Sequence, residues 1–441
     1  MTSSSSPSRP LTDEPALSDD DLLDSLQRAA FEYFRSAYNP ANGLVADRSS
    51  AASPCSIAAV GFALSSYPVA VERGWMTRDE AVGRTLVTLQ FFLNSPQSEA
   101  PDATGYKGLY YHFLDMQSGR RVWRCELSLI DTALLIVGIL TASTYFADSN
   151  QSETEIRRIA DILYRRVDWC WAQNGKTTLS QGWKPECGFL HYGWEGYSEA
   201  TILYVLAIAS PTYPIPASSY HAWTSTYQWE NLYGHDFLYA GPLFIHQFSH
   251  AWIDFRGIQD PFMREKRSDY FENSRQATYI QREYALRNPH GFRGYGENFW
   301  GLSAGDGPEP RIVKVDGQSH RLFGYTARGV PYGPDDGTIA PAATLASIVF
   351  APEMTLAAMR HFREQYREAV KEFRLPGGIN PTLAAEGSRC WTTEGYVGLD
   401  QGTVVLMIEN YRSELIWKLM RQCPYIGTGL RSAEFRGGWL K

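Results

Sequence analysis

The amino-acid sequence predicts an all-α protein, a closed ring of six helical hairpins of the kind called an (α/α)6 toroid. Two observations predict this fold. Apolar residues recur with helical spacing in twelve segments while convincing strands are almost absent, and the connections between these segments alternate between short and long. Such a ring places every long loop on one face, and long structured loops usually carry function. We therefore expect the functional site on that face.

The twelve segments are amphipathic or uniformly apolar, and several open with recognisable start signals. Ser18 is followed by three aspartates, Thr77 and Glu80 have the spacing of a capping box, and Pro352 opens the eleventh segment. The predicted helices lie at about 20–37, 55–73, 77–95, 127–147, 153–173, 197–209, 216–227 (a weak pattern), 240–253, 266–287, 339–350, 352–371 and 402–422.

The connections determine which helices would line the cavity. Short connections join the second helix to the third, the fourth to the fifth and the tenth to the eleventh. In a ring, the even-numbered helices then form the inner barrel, and their N-termini face the cavity. An open solenoid is the alternative, but it would require a repeated sequence period, which the chain does not show. The long connections are 38–54, 96–126, 174–196, 228–239, 288–338 and 372–401.

Domain organisation follows from the polarity of the N-terminus. Residues 1–17 are polar and predict a disordered tail, and residues 18–441 predict a single catalytic domain. No apolar leader is visible in the chain as given, so the cytoplasm is the default compartment, or the periplasm if a leader has been removed. The longest apolar run, 127–140, falls short of the roughly 20 residues that a membrane helix needs.

Composition limits the class of partner. The net charge of -7 disfavours nucleic acid, and no membrane partner is expected. Aromatic residues make up 14% of the chain, which suits a sugar-binding cleft and equally an aromatic core. The six cysteines show no C-x-x-C pair, so reduced, mostly buried thiols are expected. We predict no metal and no cofactor. The oligomeric state stays open.

The stretch from Gly193 to Ala200 is the centre of the predicted site. It sets Glu195, Glu199, Trp194 and Tyr197 at the start of an uncharged, apolar helix. A glutamate there meets opposing influences on its pKa, because the helix dipole favours the anion whereas apolar surroundings favour the neutral acid. Such a group is a candidate general acid.

Pairs of acidic residues lie at or near the predicted starts of four inner helices. In a ring they converge even though they are far apart in sequence, and glycoside hydrolysis needs two carboxyl groups that flank one bond. Each acid alone is equally explained as a helix cap or an acceptor of backbone N–H groups. The acids are Glu126 and Asp131, Glu195 and Glu199, Asp335 and Asp336, and Glu394 and Asp400.

Two further motifs contain candidate binding residues. His246 and His250 have the i, i+4 spacing of a metal pair, but they lack the internal glutamate of the zinc-protease motif and a clear third ligand. We therefore expect a pair that faces substrate or core. The glycine-rich segment around Arg293 follows no strand, so it predicts a sugar-facing loop rather than a nucleotide loop.

Several longer motifs occur together in this chain. They are Glu126-Leu-Ser-Leu-Ile-Asp-Thr-Ala-Leu-Leu135, Gly193-Trp-Glu-Gly-Tyr-Ser-Glu199, the segments 244–256, 298–307 and 336–341, Gly398-Leu-Asp-Gln-Gly402, and Met407-Ile-Glu-Asn-Tyr-Arg412. Taken together, they resemble a known family, the bacterial glycoamylase-like proteins, which include endo-β-1,2-glucanases and the transglycosylation domain of cyclic β-1,2-glucan synthases. The resemblance covers most of residues 20–425 and implies an (α/α)6 fold and activity on β-1,2-linked glucose.

The sequence-based assignment is a β-1,2-glucan hydrolase in which Glu199 is the general acid and Asp400 activates water. Glu126 is the main competitor for a catalytic role. Inversion is the preferred outcome, although retention stays open because it depends on the carboxyl separation. The alternatives are a transglycosylase, epimerase or lyase on the same barrel, or a non-catalytic glycan-binding toroid. Predicted substrate-binding residues are Glu195, Trp194, Tyr197, Asp131, His246, His250, Arg293, Trp300, Asp306, Asp336, Glu394, Tyr396 and Gln401.

Overall fold

A computed structural model describes residues 17–385 and 387–441. The predicted disordered tail, 1–17, lies outside the described residues except for Leu17. The carbonyl oxygen of Leu17 accepts a hydrogen bond of 2.9 Å from Arg360 Nη1.

Most of the secondary structure is helical. The α-helices are α1 (Asp19–Ser36), α2 (Ile57–Glu72), α3 (Arg78–Asn94), α4 (Leu129–Tyr145), α5 (Gln151–Arg165), α6 (Trp169–Ala172), α7 (Thr201–Ala209), α8 (Ser218–Thr224), α9 (Phe248–Trp252), α10 (Pro261–Lys266), α11 (Tyr270–Arg287), α12 (Pro341–Ala346), α13 (Pro352–Gln365), α14 (Gly398–Arg412), α15 (Leu415–Gln422) and α16 (Pro424–Ser432). Short 3-10 turns lie at Leu243–His246, Ser347–Val349, Lys371–Phe373, Pro381–Leu383 and Gly438–Leu440.

Side-chain caps fix several of the helix starts. The side chains of Ser18, Thr77, Ser128 and Asn150 each accept a hydrogen bond from the backbone N–H three residues later. These caps satisfy N–H groups that would otherwise lack a partner. They explain why the starts predicted for α1 and α3 agree with the structure within a residue.

Helices α2, α4, α7 and α12 are buried on nearly every side, whereas α1, α3, α5 and α13 bury only part of their surface. Helix α2 packs against α4 and α14, α4 packs against α7, and α12 packs against α14. Helices α7 and α9 meet where Ser249 Oγ accepts a hydrogen bond from Ile202 N and donates one to the Glu199 carbonyl oxygen. These apolar helices are therefore packed against one another.

Two glycines allow α2 and α4 to approach closely. A Cβ added at Gly61 would lie 2.1 Å from the Leu134 carbonyl oxygen, and one added at Gly138 would lie 2.1 Å from the Gly61 carbonyl oxygen. Real Cβ atoms do not approach other atoms so closely. Glycine at both positions is thus a packing requirement of this helix pair.

Several of the predicted helix boundaries are wrong. The predicted helix 240–253 is a 3-10 turn followed by the short α9. The predicted helix 402–422 begins at Gly398 and is interrupted at Glu414, whose left-handed φ of 59° separates α14 from α15. Helices α10 and α16 had no counterpart in the sequence pattern, because both are short and open with a proline, a start signal that carries little weight without a long apolar repeat.

Short antiparallel strands, almost unpredicted from the sequence, join the connections to one another. The longest pairs are hairpins at 229–238 and 312–321. The strands are β1 (Cys55–Ser56), β2 (Gly105–Tyr106), β3 (Leu109–Tyr110), β4 (Phe113–Leu114), β5 (Leu127–Ser128), β6 (Gly182–Lys184), β7 (Gly188–Phe189), β8 (Trp229–Leu232), β9 (His235–Leu238), β10 (Ala304–Gly305), β11 (Ile312–Val315), β12 (Gln318–Arg321), β13 (Thr326–Ala327), β14 (Ile379–Asn380) and β15 (Trp391–Thr392).

Two further observations concern the chain as a whole. All six cysteines are free, and only Cys170 and Cys187 are exposed. Within residues 17–385 and 387–441, no helix combines the length and the apolar character needed to cross a bilayer.

Candidate active site

A cavity of about 620 Å³ opens where the N-terminal ends of the central helices meet the long connections. Residues of the long connections 38–54, 96–126 and 288–338 form part of its wall. The helices α4, α9, α12 and α14 contribute residues from their first two turns, and Ser56 and Glu199 directly precede or adjoin the starts of α2 and α7. The residues that line the cavity include Asp47, Arg48, His112, Phe113, Trp123, Asp131, Glu199, Phe244, Gln247, Phe248, Tyr325 and Asp400.

Glu199 lies two residues before α7 and lines this cavity. The predicted helix start at 197 is therefore wrong, and Glu199 does not lie within the helix. Burial, together with a smaller contribution from the negative charge of Asp131, raises the pKa of Glu199 to about 7. Burial prevails over the helix dipole here. Glu199 can therefore hold a proton near neutral pH, as a general acid must.

Asp400 lies in the first turn of α14, not in a turn before the helix as predicted. Burial raises its pKa to about 7, with contributions from Asp306 and Asp47 that Arg48 partly opposes. Burial and the two neighbouring carboxylates therefore disfavour the ionised form of Asp400.

His112 connects two of the predicted acids. Its Nδ1 lies 3.0 Å from Glu126 Oε1, and its Nε2 lies 3.6 Å from Asp131 Oδ2. Burial alone would lower the pKa of His112, but Asp131 and Glu126, with Asp47, raise it to about 9. The hydrogen bond from His112 lowers the pKa of Glu126. Glu126 is not among the residues that line the cavity, and it reaches the cavity through His112.

Asp47, Arg48 and Asp306 form a charged group beside Asp400. Arg48 Nη1 donates to Asp306 Oδ2, and Arg48 Nε lies 3.3 Å from Asp47 Oδ2. Burial raises the pKa of the Asp47 carboxyl, which Arg48 partly offsets. Asp306, predicted from the sequence, thus acts on the cavity through its ion pair.

The aromatic prediction selected the wrong rings. Trp300 is only 1% exposed and belongs to the core. Tyr197 stacks near Tyr270 and His246, and neither it, Trp194 nor Tyr396 lines the cavity. The rings that do so are Phe113, Trp123, Phe244, Phe248 and Tyr325. The chain turns at Gly196, where φ is 76°, between Trp194 and Glu199.

Five other predicted binding residues lie outside the cavity wall. Glu195 is exposed and accepts a 3.3 Å hydrogen bond from Thr178 Oγ1, and Glu394 is also exposed. Arg293 pairs with Asp316 at the surface through contacts of 2.6 Å. Asp336 is fully buried against Arg328 at 2.8 Å, and the Gln401 amide donates to the Leu375 carbonyl oxygen. Asp335, noted beside Asp336, accepts hydrogen bonds from Tyr284 and Tyr295. Of these side chains, Asp336 and Gln401 are held within the fold by buried contacts.

His246 and His250 are core residues rather than substrate contacts. Each Nε2 lies 3.1 Å from a backbone carbonyl oxygen, of Ala240 and Tyr270 respectively. Burial lowers the pKa of His246 to about 4 and that of His250 to about 3, so both are neutral. Among the residues that the structure describes, no three His, Cys, Asp or Glu side chains are grouped as metal ligands.

Sequence reasoning missed Asp47, Arg48, His112, Trp123 and Tyr325. All five lie in long connections that the link-length argument assigned to the functional face. That signal identified the face but could not choose residues, because loops lack the periodicity that separates inward from outward positions in helices.

Comparison with known proteins identifies a family match that includes Glu199 and Asp400. Residues 191–424 match the family model Glycoamylase, described as "Putative glucoamylase". A crystal structure described in the same words, from Bacteroides uniformis, is 32% identical, covers 97% of this chain and 100% of its own, and superposes with a TM-score of 0.86. An endo-β-1,2-glucanase from Chitinophaga pinensis, crystallised with sophorotriose and glucose, is 28% identical over 96% of this chain and 100% of its own, with a TM-score of 0.82.

A curated relative from Parabacteroides distasonis is an exo-β-1,2-glucooligosaccharide sophorohydrolase that acts at the non-reducing end. It is 28% identical over 95% of this chain, which spans 58% of the length of that relative. The family match covers more than half of the chain and includes both Glu199 and Asp400. This chain therefore belongs to the Glycoamylase family.

Proposed function

We propose that this protein is a glycoside hydrolase that cleaves β-1,2-linked glucan or its oligosaccharides. The observation that carries the proposal is the pairing of Glu199 and Asp400 in one cavity, each with a pKa of about 7. Near neutral pH one carboxyl can be protonated while the other is ionised, which acid–base cleavage of a glycosidic bond requires. The linkage is inferred from relatives that act on β-1,2-glucan and its oligosaccharides.

In this proposal Glu199 donates its proton to the glycosidic oxygen as the bond to the anomeric carbon breaks. Asp400 accepts a proton from the attacking water, directly or through a hydroxyl of the substrate. Asp131 and Asp47 offer acceptors for sugar hydroxyls. Trp123 and Tyr325, 69% and 68% exposed at the cavity wall, offer ring faces for pyranose units.

The closed (α/α)6 toroid is part of the same proposal. Its support is the succession of neighbours α2, α4, α7, α9, α12 and α14, with α14 returning to α2. The Gln247 amide also donates to the Ala343 carbonyl oxygen, which joins the segment before α9 to α12. A closed inner ring explains how acids separated by two hundred residues reach one cavity. The single-domain organisation of residues 18–441 belongs to this proposal too.

The test is incubation with linear β-1,2-glucan and with short β-1,2-glucooligosaccharides, followed by sizing of the products and NMR of the anomer released first. We expect shorter sugars. Products longer than the substrate would instead indicate glycosyl transfer, and binding without any product would indicate a glycan-binding toroid. Absence of both product and binding would refute the proposal.

The roles of the two carboxyls are tested by Glu199→Gln and Asp400→Asn. Removal of a general acid or base costs on the order of 10² to 10⁴ in rate, and we expect both variants to fall in that range without a lower melting temperature. Glu265→Gln is the matched control, because Glu265 is a surface residue paired with Lys266. If either cavity variant keeps more than about a tenth of the wild-type kcat, well above that range, its assignment is wrong.

A further inference from the structure

His112 occupies a position that constrains its own charge. Its two ring nitrogens face two different carboxylates, Glu126 at 3.0 Å and Asp131 at 3.6 Å. A neutral imidazole has one N–H donor and one lone pair, whereas an imidazolium has two donors. The neutral form would therefore direct a lone pair at a carboxylate. The geometry favours the doubly protonated ring.

The ring is also held in place. It stacks on Phe113 with 3.9 Å between ring centroids and 14° between the planes. Phe113 in β4 pairs with Ser56, the N-cap of α2, and the His112 backbone N–H donates to the Glu126 carbonyl oxygen. The imidazole therefore has little freedom to turn away from its carboxylates.

Asp131 relates this ring to the proposed acid. It lies in the first turn of α4, where its backbone N–H and carboxylate both bond to Ser128 Oγ, and it lines the cavity with Glu199. Its charge is also the one that acts on Glu199. The negative charge of Asp131 thus helps Glu199 to retain its proton.

We propose that His112 is a positioning residue: as a fixed imidazolium it orients Asp131, and the opposite charges of these two side chains together form the electrostatic environment of the proton on Glu199. This inference rests on the proposed function, because Glu199 is the acid only there. The other charged groups that face the cluster are Asp47, beside His112, and Lys184, which acts on Glu126.

The charge of His112 is measured without any activity, by NMR titration of the histidine ring signals in the intact protein, assigned by comparison with His112→Gln. We expect the signal missing from that variant to titrate near pH 9, and its midpoint to fall in Glu126→Gln and Asp131→Asn. A midpoint at or below the ordinary value for histidine, about 6.5, would overturn the proposal whether or not the protein cleaves glucan.

The second arm follows the basic limb of the pH dependence of kcat/KM, which reports the group that must stay protonated. Removing the positive charge in His112→Gln should move this limb to higher pH, and removing the negative charge in Asp131→Asn should move it to lower pH. Each shift should be about 1 unit, the lower end of the range for a neighbouring charge.

Opposite shifts cannot arise from general loss of packing, which would lower the rate at every pH. His221→Gln is the control, because His221 also lies 3.2 Å from a carboxylate, Glu434, but at the surface and outside the cavity wall. Limbs that stay in place, or that move in the same direction in both cavity variants, would overturn the link to Glu199. An inactive wild-type protein would refute the proposed function and leave the NMR result to decide the charge of His112.

Discussion

The carboxyl groups of Glu199 and Asp400 resist ionisation in the folded protein, and this lowers its free energy of unfolding at neutral and basic pH. The folded protein holds protons on Glu199 and Asp400 up to about pH 7, whereas the unfolded chain releases them near pH 4. Below about pH 4 the two states bind these protons equally. As the pH rises from about 4 to about 7, the unfolded state releases these protons while the folded state keeps them, so the free energy of unfolding falls. Above about pH 7 both states are ionised and the free energy of unfolding falls no further.

Glu199→Gln and Asp400→Asn remove this loss, since a neutral amide does not ionise. We therefore expect both variants to melt at a higher temperature than the wild type at pH 8, and the difference to shrink towards pH 4.5. Calorimetry or circular dichroism at the two pH values measures it. A difference that is the same at both values would mean that neither carboxyl is held protonated by the fold. Glu265→Gln should match the wild type throughout.

At the scale of helices, the contact between α2 and α4 depends on the absence of side chains. Gly61→Ala would place a methyl group against the Leu134 carbonyl oxygen, a backbone atom that moves only if a helix moves. We expect a loss of stability in the range of an overpacked core, about 1–3 kcal/mol, and a lower kcat, because Asp131 would move with α4.

Gly83→Ala is the matched control for this prediction. Gly83 also lies inside a helix, α3, but a Cβ there meets no atom within 4 Å. Alanine should stabilise that helix by about 0.5–1 kcal/mol. Thermal unfolding of both variants decides the question, and a neutral Gly61→Ala would show that α2 and α4 can separate without penalty.

Elements were predictable from the sequence where a long apolar pattern and a local cap agreed. Helix α3, which Thr77 caps, is such a case. The structure departs from the prediction where long-range contacts decide. Glu414 takes a left-handed conformation and ends α14, and its carboxylate pairs with Arg256 at 2.8 Å, a partner 158 residues away. No local pattern contains that information.

At the scale of the whole molecule, Glu409 joins the last central helix to the first ones. This buried residue of α14 accepts hydrogen bonds from Arg73 at 2.9 and 3.0 Å and from Gln27 at 2.9 Å, so it links α14 to α2 and α1. In Glu409→Gln one carboxylate oxygen is replaced by an amide NH2 group, so an N–H donor of Arg73 or Gln27 would lose its acceptor. Loss of one partner of a buried pair costs about 3–5 kcal/mol, so we expect a clearly lower melting temperature.

Glu409→Gln should still unfold in one transition when the far-ultraviolet circular dichroism and tryptophan fluorescence signals are compared. Helices α1 and α2 pack against α14, and α2 also packs against α4, so we expect them to unfold together with the other central helices. An early, separate transition would show that α1 and α2 detach on their own. Glu155→Gln is the control. Its exposed i, i+3 pair with Arg158 is of the type that contributes little, so its melting curve should overlay that of the wild type.

The candidate site was predictable to different degrees for different residues. Glu199 and Asp400 could be predicted as candidate acids because they adjoin apolar helices, where an unpaired carboxylate is conspicuous. Their environment was not, because the neighbours of Asp400 come from residues 47, 48 and 306, which no local pattern brings together. His112 was missed for the same reason, since one of its two partners, Asp131, lies nineteen residues further along the chain.

The short connections lie at the other ends of the helices whose starts form the cavity. There Tyr145, at the end of α4, donates to Glu72, at the end of α2, and Gly74 in the adjoining link has no atom within 4 Å of the place a side chain would take. This end is remote from the mouth along the full length of both helices. An affinity tag or a peptide for immobilisation, inserted after Gly74, would orient every molecule with its cavity open to dissolved polymer.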